Sequence, residues 1–178
     1  MRIISGSNKG KKLIMPNDKI TRPLKDIAKE SIFNILTHSK YINFHIKDSN
    51  VLDLFSGIGS FGLECISRGS KFVFFLENYP PVLEILKINI SNLNYEKKSK
   101  VMDIDAFKMN NNIFKDHQRF EIIFCDPPYK EKKINLLIEN IIEMNILEEN
   151  GIIIINRKNN RNGYFRKKWN NYYSQKKR

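Results

Sequence analysis

Several residue types are scarce in this 178-residue chain, and each shortage excludes something. There are two cysteines, Cys65 and Cys125, each inside an apolar stretch. That excludes a disulfide scaffold, fits a reducing compartment and leaves no thiolate cluster to hold a metal. Apolar runs are short, as at Ile152–Ile155, against the roughly 18 residues that a membrane-spanning helix needs. The N-terminus, M-R-I-I-S-G-S-N-K-G-K-K, has no apolar stretch of signal-peptide length behind its charges. A cytoplasmic location without membrane attachment is therefore expected. Three histidines, His38, His45 and His117, stand in polar stretches without triad partners, so they are not read as catalysts. Acids are outnumbered, 19 against 31 Lys plus Arg, for a net charge of +12.

What remains is a chain with enough apolar residues, 41%, to bury the core of one domain. Its charge sits at the ends: residues 1–25 carry seven basic side chains and one acid, residues 156–178 nine and none. Clustered Lys and Arg attract phosphates and release counterions, which points to a polyanion such as RNA. The 27 Ile, 23 Lys and 22 Asn also fit an AT-rich coding bias, which enriches surface lysine without any function.

Short apolar runs alternate with segments of helical period, the pattern of an α/β protein with a parallel sheet. Strands are predicted at 51–55, 71–77, 100–104, 120–125 and 151–156. Between and before them, Leu24, Ile27, Ala28, Ile32, Ile35 and Leu36 form one helical stripe, with Pro23 in the first turn. Val82, Ile85, Leu86, Ile90 and Leu93 form another, and Ile134, Leu137, Ile138, Ile141 and Ile142 a third; all three are read as core. Residues 1–20 read as a basic arm or hairpin turning at Gly6 and Gly10, ahead of a body over 21–178, a single domain overall.

Two constellations carry chemistry. After the first strand comes D-L-F-S-G-I-G-S-F-G, with Asp53, Phe55, Gly57, Gly59 and Gly62. A glycine turn between strand and helix lets a ligand touch backbone at a helix N-terminus. Glu77, followed by Asn78, lies 20 residues beyond Gly57, where a carboxylate accepts both hydroxyls of a ribose. Taken literally the glycines satisfy G-x-G-x-x-G, so an NAD-type dehydrogenase is a rival. Asp53 favours instead a ligand with a cationic amino-acid end, as in S-adenosylmethionine.

The second constellation is Asp126, Pro127, Pro128 and Tyr129 after the fourth strand. Two prolines fix φ and lack N–H groups, leaving the Asp126 side chain and the Pro127 carbonyl as acceptors for an exocyclic amine. Holding both amine protons aims the nitrogen lone pair at an electrophile, mainly by positioning and electrostatics. Tyr129 offers a face on which an extruded base stacks.

Together these residues resemble the RsmD-type methyltransferases, which modify the exocyclic amine of a guanine in bacterial 16S ribosomal RNA. The resemblance rests on R-I-I-S-G-S-N-K-G-K-K-L at 2–13, T-R-P-L-K-D-I-A-K-E-S-I-F-N-I-L at 21–36, the glycine motif at 53–64, and D-P-P-Y. It implies a Rossmann-like class I methyltransferase fold, S-adenosylmethionine as cofactor and the small ribosomal subunit, or a precursor of it, as substrate; a monomer is expected. By the same matching, Asp53, Gly57 and Gly59 line the methionine part, Glu77 the ribose, and Asp105 with Ala106 the adenine. Asp126 and Pro127 hold the guanine amine, Arg22 and Pro23 start a helix over the site, and Arg2, Lys9, Lys11 and Lys12 contact RNA. The chain departs from the family at Asn156, where a Glu is usual. It also ends about where the family forms a final antiparallel strand, so a strand at 169–174 is expected to lack a neighbour and to lower stability. Two further readings use the same residues: an adenine amino-methyltransferase on DNA or RNA, and a non-catalytic RNA-binding relic.

Overall fold

The computed structural model describes residues 1–17, 26–39, 45–114, 119–128, 131–156, 163–168 and 171–176, the last two stretches as backbone. Helix α1 (Asp26–His38) precedes β1 (Asn50–Leu54), α2 (Ser60–Ser67), β2 (Phe72–Glu77), α3 (Pro80–Asn92) and β3 (Ser99–Asp103). Then follow β4 (Phe120–Cys125), α4 (Ile134–Glu143), β5 (Leu147–Ile155), β6 (Gly163–Lys168) and β7 (Asn171–Lys176). One sheet results, in the order β3-β2-β1-β4-β5-β6-β7. The first five strands are parallel, while β6 runs antiparallel to β5 and β7 antiparallel to β6.

The five parallel strands read as nearly unbroken apolar runs because both of their faces are covered. Alternate residues feed two cores. Val73, Phe75, Ile122, Phe124, Ile152 and Ile154 face helices α1, α2 and α3, where Phe33, Phe61 and Phe124 stack in series at 5.1 and 4.0 Å. Leu52, Leu54, Phe74, Leu76, Ile123 and Ile153 face α4 on the other side. The expected stripes of α3 and α4 are found packed inward.

Two expectations are corrected. In α1, Ile27 is 83% exposed while Lys29 and Phe33 are fully buried; the inward face is set by partners of Lys29 elsewhere in the chain, which a hydrophobic period cannot register. Leu24 and Pro23 lie outside the described residues. The C-terminal strand has a neighbour: β7 pairs with β6 from Gly163↔Lys176 to Lys168↔Asn171, and β6 pairs with β5 from Ile152↔Arg166 to Ile155↔Gly163. The antiparallel place beside β5 is thus filled, and the premise of a lone strand falls. The segment Gly163–Lys168, G-Y-F-R-K-K, lacks the two-residue alternation that marks a strand.

The basic N-terminal segment is a hairpin. Arg2 bridges Lys12, Ile3 N–H donates to Lys11 O at 2.9 Å, and Gly10 N–H returns to Ile3 O at 2.8 Å. Ile3 and Leu13 are buried in the same core as α1 to α3. Gly6, at φ +85°, packs so closely that a β-carbon would lie 1.8 Å from Ser67 O, so no other residue fits there.

Candidate active site

β1 lies where the chain reverses its direction of travel across the sheet, and in such sheets ligands bind beyond the carboxyl ends of the strands. The register brings those ends level: Leu54 stands opposite Leu76 and Cys125, and Cys125 opposite Ile155. Phe55, Glu77, Asp126 and Asn156 therefore emerge along one edge.

The glycine turn is tied down on both sides. Ser56 donates through N–H and Oγ to Leu76 O, at 3.0 and 2.9 Å. Glu77 accepts from Gly57 N–H at 2.8 Å through one oxygen, and from the N–H groups of Asn78 and Tyr79 at 2.9 Å through the other. The three glycines differ in task. At Gly57 (φ +55°) a β-carbon would meet nothing within 4 Å, so its outer face is open to a ligand. Gly59 (φ +82°) caps α2 and packs against Leu86, and a β-carbon on Gly62 would lie 2.3 Å from the Phe75 ring. Those two are glycine for packing.

Asp53 is buried, with Oδ2 accepting from Gly62 N–H at 3.0 Å. Burial pushes its carboxyl well above the ordinary range; the Gly62 bond opposes this, and the nearby Asp126 and Glu77 charges add to it. Three carboxylates thus converge on one crevice in a chain of net charge +12. Such a crevice suits a cationic ligand. Asp105 caps the 3-10 turn Ala106–Lys108, accepting from Phe107 N–H at 3.0 Å, and Ala106 is buried beneath it. Phe55, at φ +57°, places its ring 5.6 Å from that of Phe107. Phe107 extends this wall, and no sequence signal marked it.

At the end of β4, Asp126 is half-buried and receives Asn156 Nδ2 on Oδ1 at 3.0 Å. Burial raises its carboxyl to about 6, the Asn156 bond holding it lower than burial alone would. Pro127 is buried and Pro128 exposed; the Pro128 carbonyl accepts from Glu131 N–H at 2.9 Å. Tyr129 and Arg22 lie outside the described residues. Arg2, Lys9, Lys11 and Lys12 are all exposed on the hairpin.

The hairpin leans on the helix that carries the glycine turn. Glu64 of α2, fully buried, accepts from Ile4 N–H at 2.7 Å, Ser5 N–H at 2.9 Å and Arg68 Nε at 2.8 Å. Buried Lys29 donates to Arg2 O at 2.6 Å and lies 3.6 Å from the same carboxylate. Asn89 of α3 clasps both polar groups of Ile14. Glu64 and Lys29 were not legible as a pair, since the Glu64 partners Ile4 and Ser5 lie 60 and 59 residues upstream.

A ligand that joins an ammonium group, a sulfonium and a ribose matches the buried acid at β1, the open backbone at Gly57 and the carboxylate at β2. With the D-P-P turn two strands from Glu77, the crevice and sheet order place the chain among the Rossmann-like methyltransferases that use S-adenosylmethionine. The family model described as Conserved hypothetical protein 95 matches residues 1–178. The chain belongs to that family, the RsmD-type methyltransferases. It is 35% identical over 163 residues to Ribosomal RNA small subunit methyltransferase D of Haemophilus influenzae, covering 87% of this chain and 77% of that one. It is 38% identical over 154 residues to the Bacillus subtilis protein YlbH, covering 86% and 80%. The solved structure of Escherichia coli yhhF superimposes with a TM-score of 0.71 at 26% identity, over 87% of this chain and 78% of that one.

Proposed function

We propose that this enzyme methylates the exocyclic N2 amine of a guanine in 16S ribosomal RNA, working in the cytoplasm as a monomer on the small subunit or an assembly intermediate. The observation that carries the reading is the level alignment, at the ends of neighbouring strands, of a crevice for S-adenosylmethionine and an acceptor turn for a planar amine. The printed name of the Haemophilus relative supports the RNA and the subunit. Among the described residues no helix is long and apolar enough to cross a membrane.

S-adenosylmethionine, when bound, supplies a methyl group made electrophilic by its sulfonium. Asp53 faces the ammonium end, Gly57 and Gly59 give the methionine part a backbone floor, and Glu77 with Asn78 takes the ribose. Asp105, Ala106 and Phe55 bound the adenine. Asp126 Oδ2 and the Pro127 carbonyl accept the two amine protons, Pro128 holds that turn rigid, and Tyr129 stacks on the base. This holds the nitrogen lone pair out of the ring π system and directs it along the line of attack. After transfer the nitrogen sheds one proton, to Asp126 or to water. Arg2, Lys9, Lys11, Lys12 and Arg22 bind RNA phosphates, with the hairpin fixing four of them relative to the crevice.

Asp126→Ala tests the assignment. Turnover on small subunits lacking the modification should fall by at least about 100-fold, the scale of losing a preorganised acceptor, while calorimetric S-adenosylmethionine affinity is kept. Undiminished turnover would remove Asp126 from the mechanism.

A further inference from the structure

Asn156 follows β5 directly, and neither the glycine turn nor the D-P-P motif accounts for it. Its backbone N–H donates to Cys125 O at 2.9 Å and its Nδ2 donates to Asp126 Oδ1 at 3.0 Å. Both ends of the residue are therefore fastened to the close of β4. A carboxylate only accepts, so ionised Asp126 dictates the orientation of the amide: nitrogen toward the acid, oxygen away. Among the described residues no group donates to Asn156 Oδ1. Asp126 is left with Oδ2 for another donor.

This leaves two acceptors, Asp126 Oδ2 and Asn156 Oδ1, on hydrogen-bonded residues that follow adjacent parallel strands about 4.8 Å apart. On guanine, the N2 amine stands beside a ring N1–H, so this edge shows two neighbouring donors. Adenine and cytosine place a ring lone pair beside their amines. An acceptor next to the amine site therefore distinguishes guanine from the other amino bases, because any of the others would oppose lone pair to lone pair.

We infer that Asn156 is a specificity-determining residue, its Oδ1 accepting N1–H of the target guanine while Asp126 and Pro127 hold the N2 amine. The inference rests on the guanine-amine reading above. Asn156 thus has two duties: it reserves one oxygen of Asp126 for the amine, and it reads the adjacent ring position.

The test compares two bases. The methylated guanine is first mapped with natural RNA. Small subunits are then reconstituted around 16S RNA carrying guanine or 2-aminopurine at that position. 2-Aminopurine keeps the 2-amine but has an unprotonated N1. Wild-type kcat/KM should be about 10- to 100-fold lower on 2-aminopurine, the range of one base-edge recognition. Asn156→Ala, which also frees Asp126 Oδ1, should be slowed on both bases but more on guanine, bringing the ratio to within about threefold. Asn156→Asp, which keeps an acceptor, should retain most of the discrimination at a lower rate. Unchanged S-adenosylmethionine affinity confirms that the variants are folded. Equal slowing of Asn156→Ala on both bases would overturn the proposal, leaving Asn156 to act only through Asp126. So would a wild type indifferent to the two bases. If wild type places no methyl on guanine N2 of natural RNA, the guanine reading itself fails, a result seen before any variant is assayed.

Discussion

Replacing Glu64 by Gln probes how the basic N-terminal hairpin is joined to the helix that carries the glycine turn. Glu64 and Lys29 both have no exposed side-chain surface and lie 3.6 Å apart. Burial lowers the Lys29 pKa, and the Glu64 and Asp26 charges work against that fall. Glu64→Gln keeps the shape but leaves Lys29 without its buried counter-ion, a loss worth about 3–5 kcal/mol. Gln has one acceptor oxygen in place of two, so the Ile4 or Ser5 N–H also loses its partner. Lys29→Met should cost much less, because Glu64 keeps Arg68 at 2.8 Å and both hairpin amides. The double variant, with no unpaired buried cation at position 29, should regain at least about 2 kcal/mol of the Glu64→Gln loss. Against a total stability of about 5–15 kcal/mol, the single change is large. Urea denaturation gives the comparison, with Cm moving and m held, and amide exchange at Ile4 and Ser5 reports the hairpin. A Glu64→Gln loss below about 1 kcal/mol, or a double variant no more stable than that single one, would refute the reasoning.

Four other outcomes are expected. In the proposed mechanism Asp126 has to be ionised to accept amine protons, so kcat/KM should fall about tenfold per unit as pH drops below about 6. The folded carboxyl titrates above the ordinary carboxylate range, so the native state holds its proton longer than the unfolded one, and stability is lost as pH rises from about 4 to about 6. Asp126→Asn should match wild type below that window and exceed its stability above it by up to about 3 kcal/mol; parallel curves would contradict this. S-adenosylmethionine should bind saturably where NAD does not. Calorimetry reads both titrations, and binding of NAD alone or of neither would contradict the cofactor assignment. Lys9→Ala, Lys11→Ala and Lys12→Ala should each lower the salt slope of RNA binding by about one unit, and an unchanged slope would detach the hairpin from RNA.

The parallel part of the sheet was legible because its strands are buried on both faces. Phe120–Cys125 is found at its predicted bounds, and β1 to β3 are displaced by about one residue. That Asp53, Glu77 and Asp126 gather at the ends of β1, β2 and β4 was legible too, since strand, turn and charged residue are contiguous in sequence. What was hidden depends on distant partners. Lys29 in an apolar helix looks like a solvated lysine until Arg2 O and Glu64 are seen beside it. Asn156 looks like a loss of the family's acid until its amide is found on Asp126, 30 residues away. The pairing of β6 with β5 was obscured by a run in which aromatic and basic residues fall in blocks.

The central claim is tested most directly by nucleoside analysis of small subunits that lack the modification, incubated with the enzyme and isotopically labelled S-adenosylmethionine. The account predicts label in N2-methylguanosine of 16S RNA, at one position. Label in N6-methyladenosine, or RNA binding with no methyl transfer at all, would contradict it.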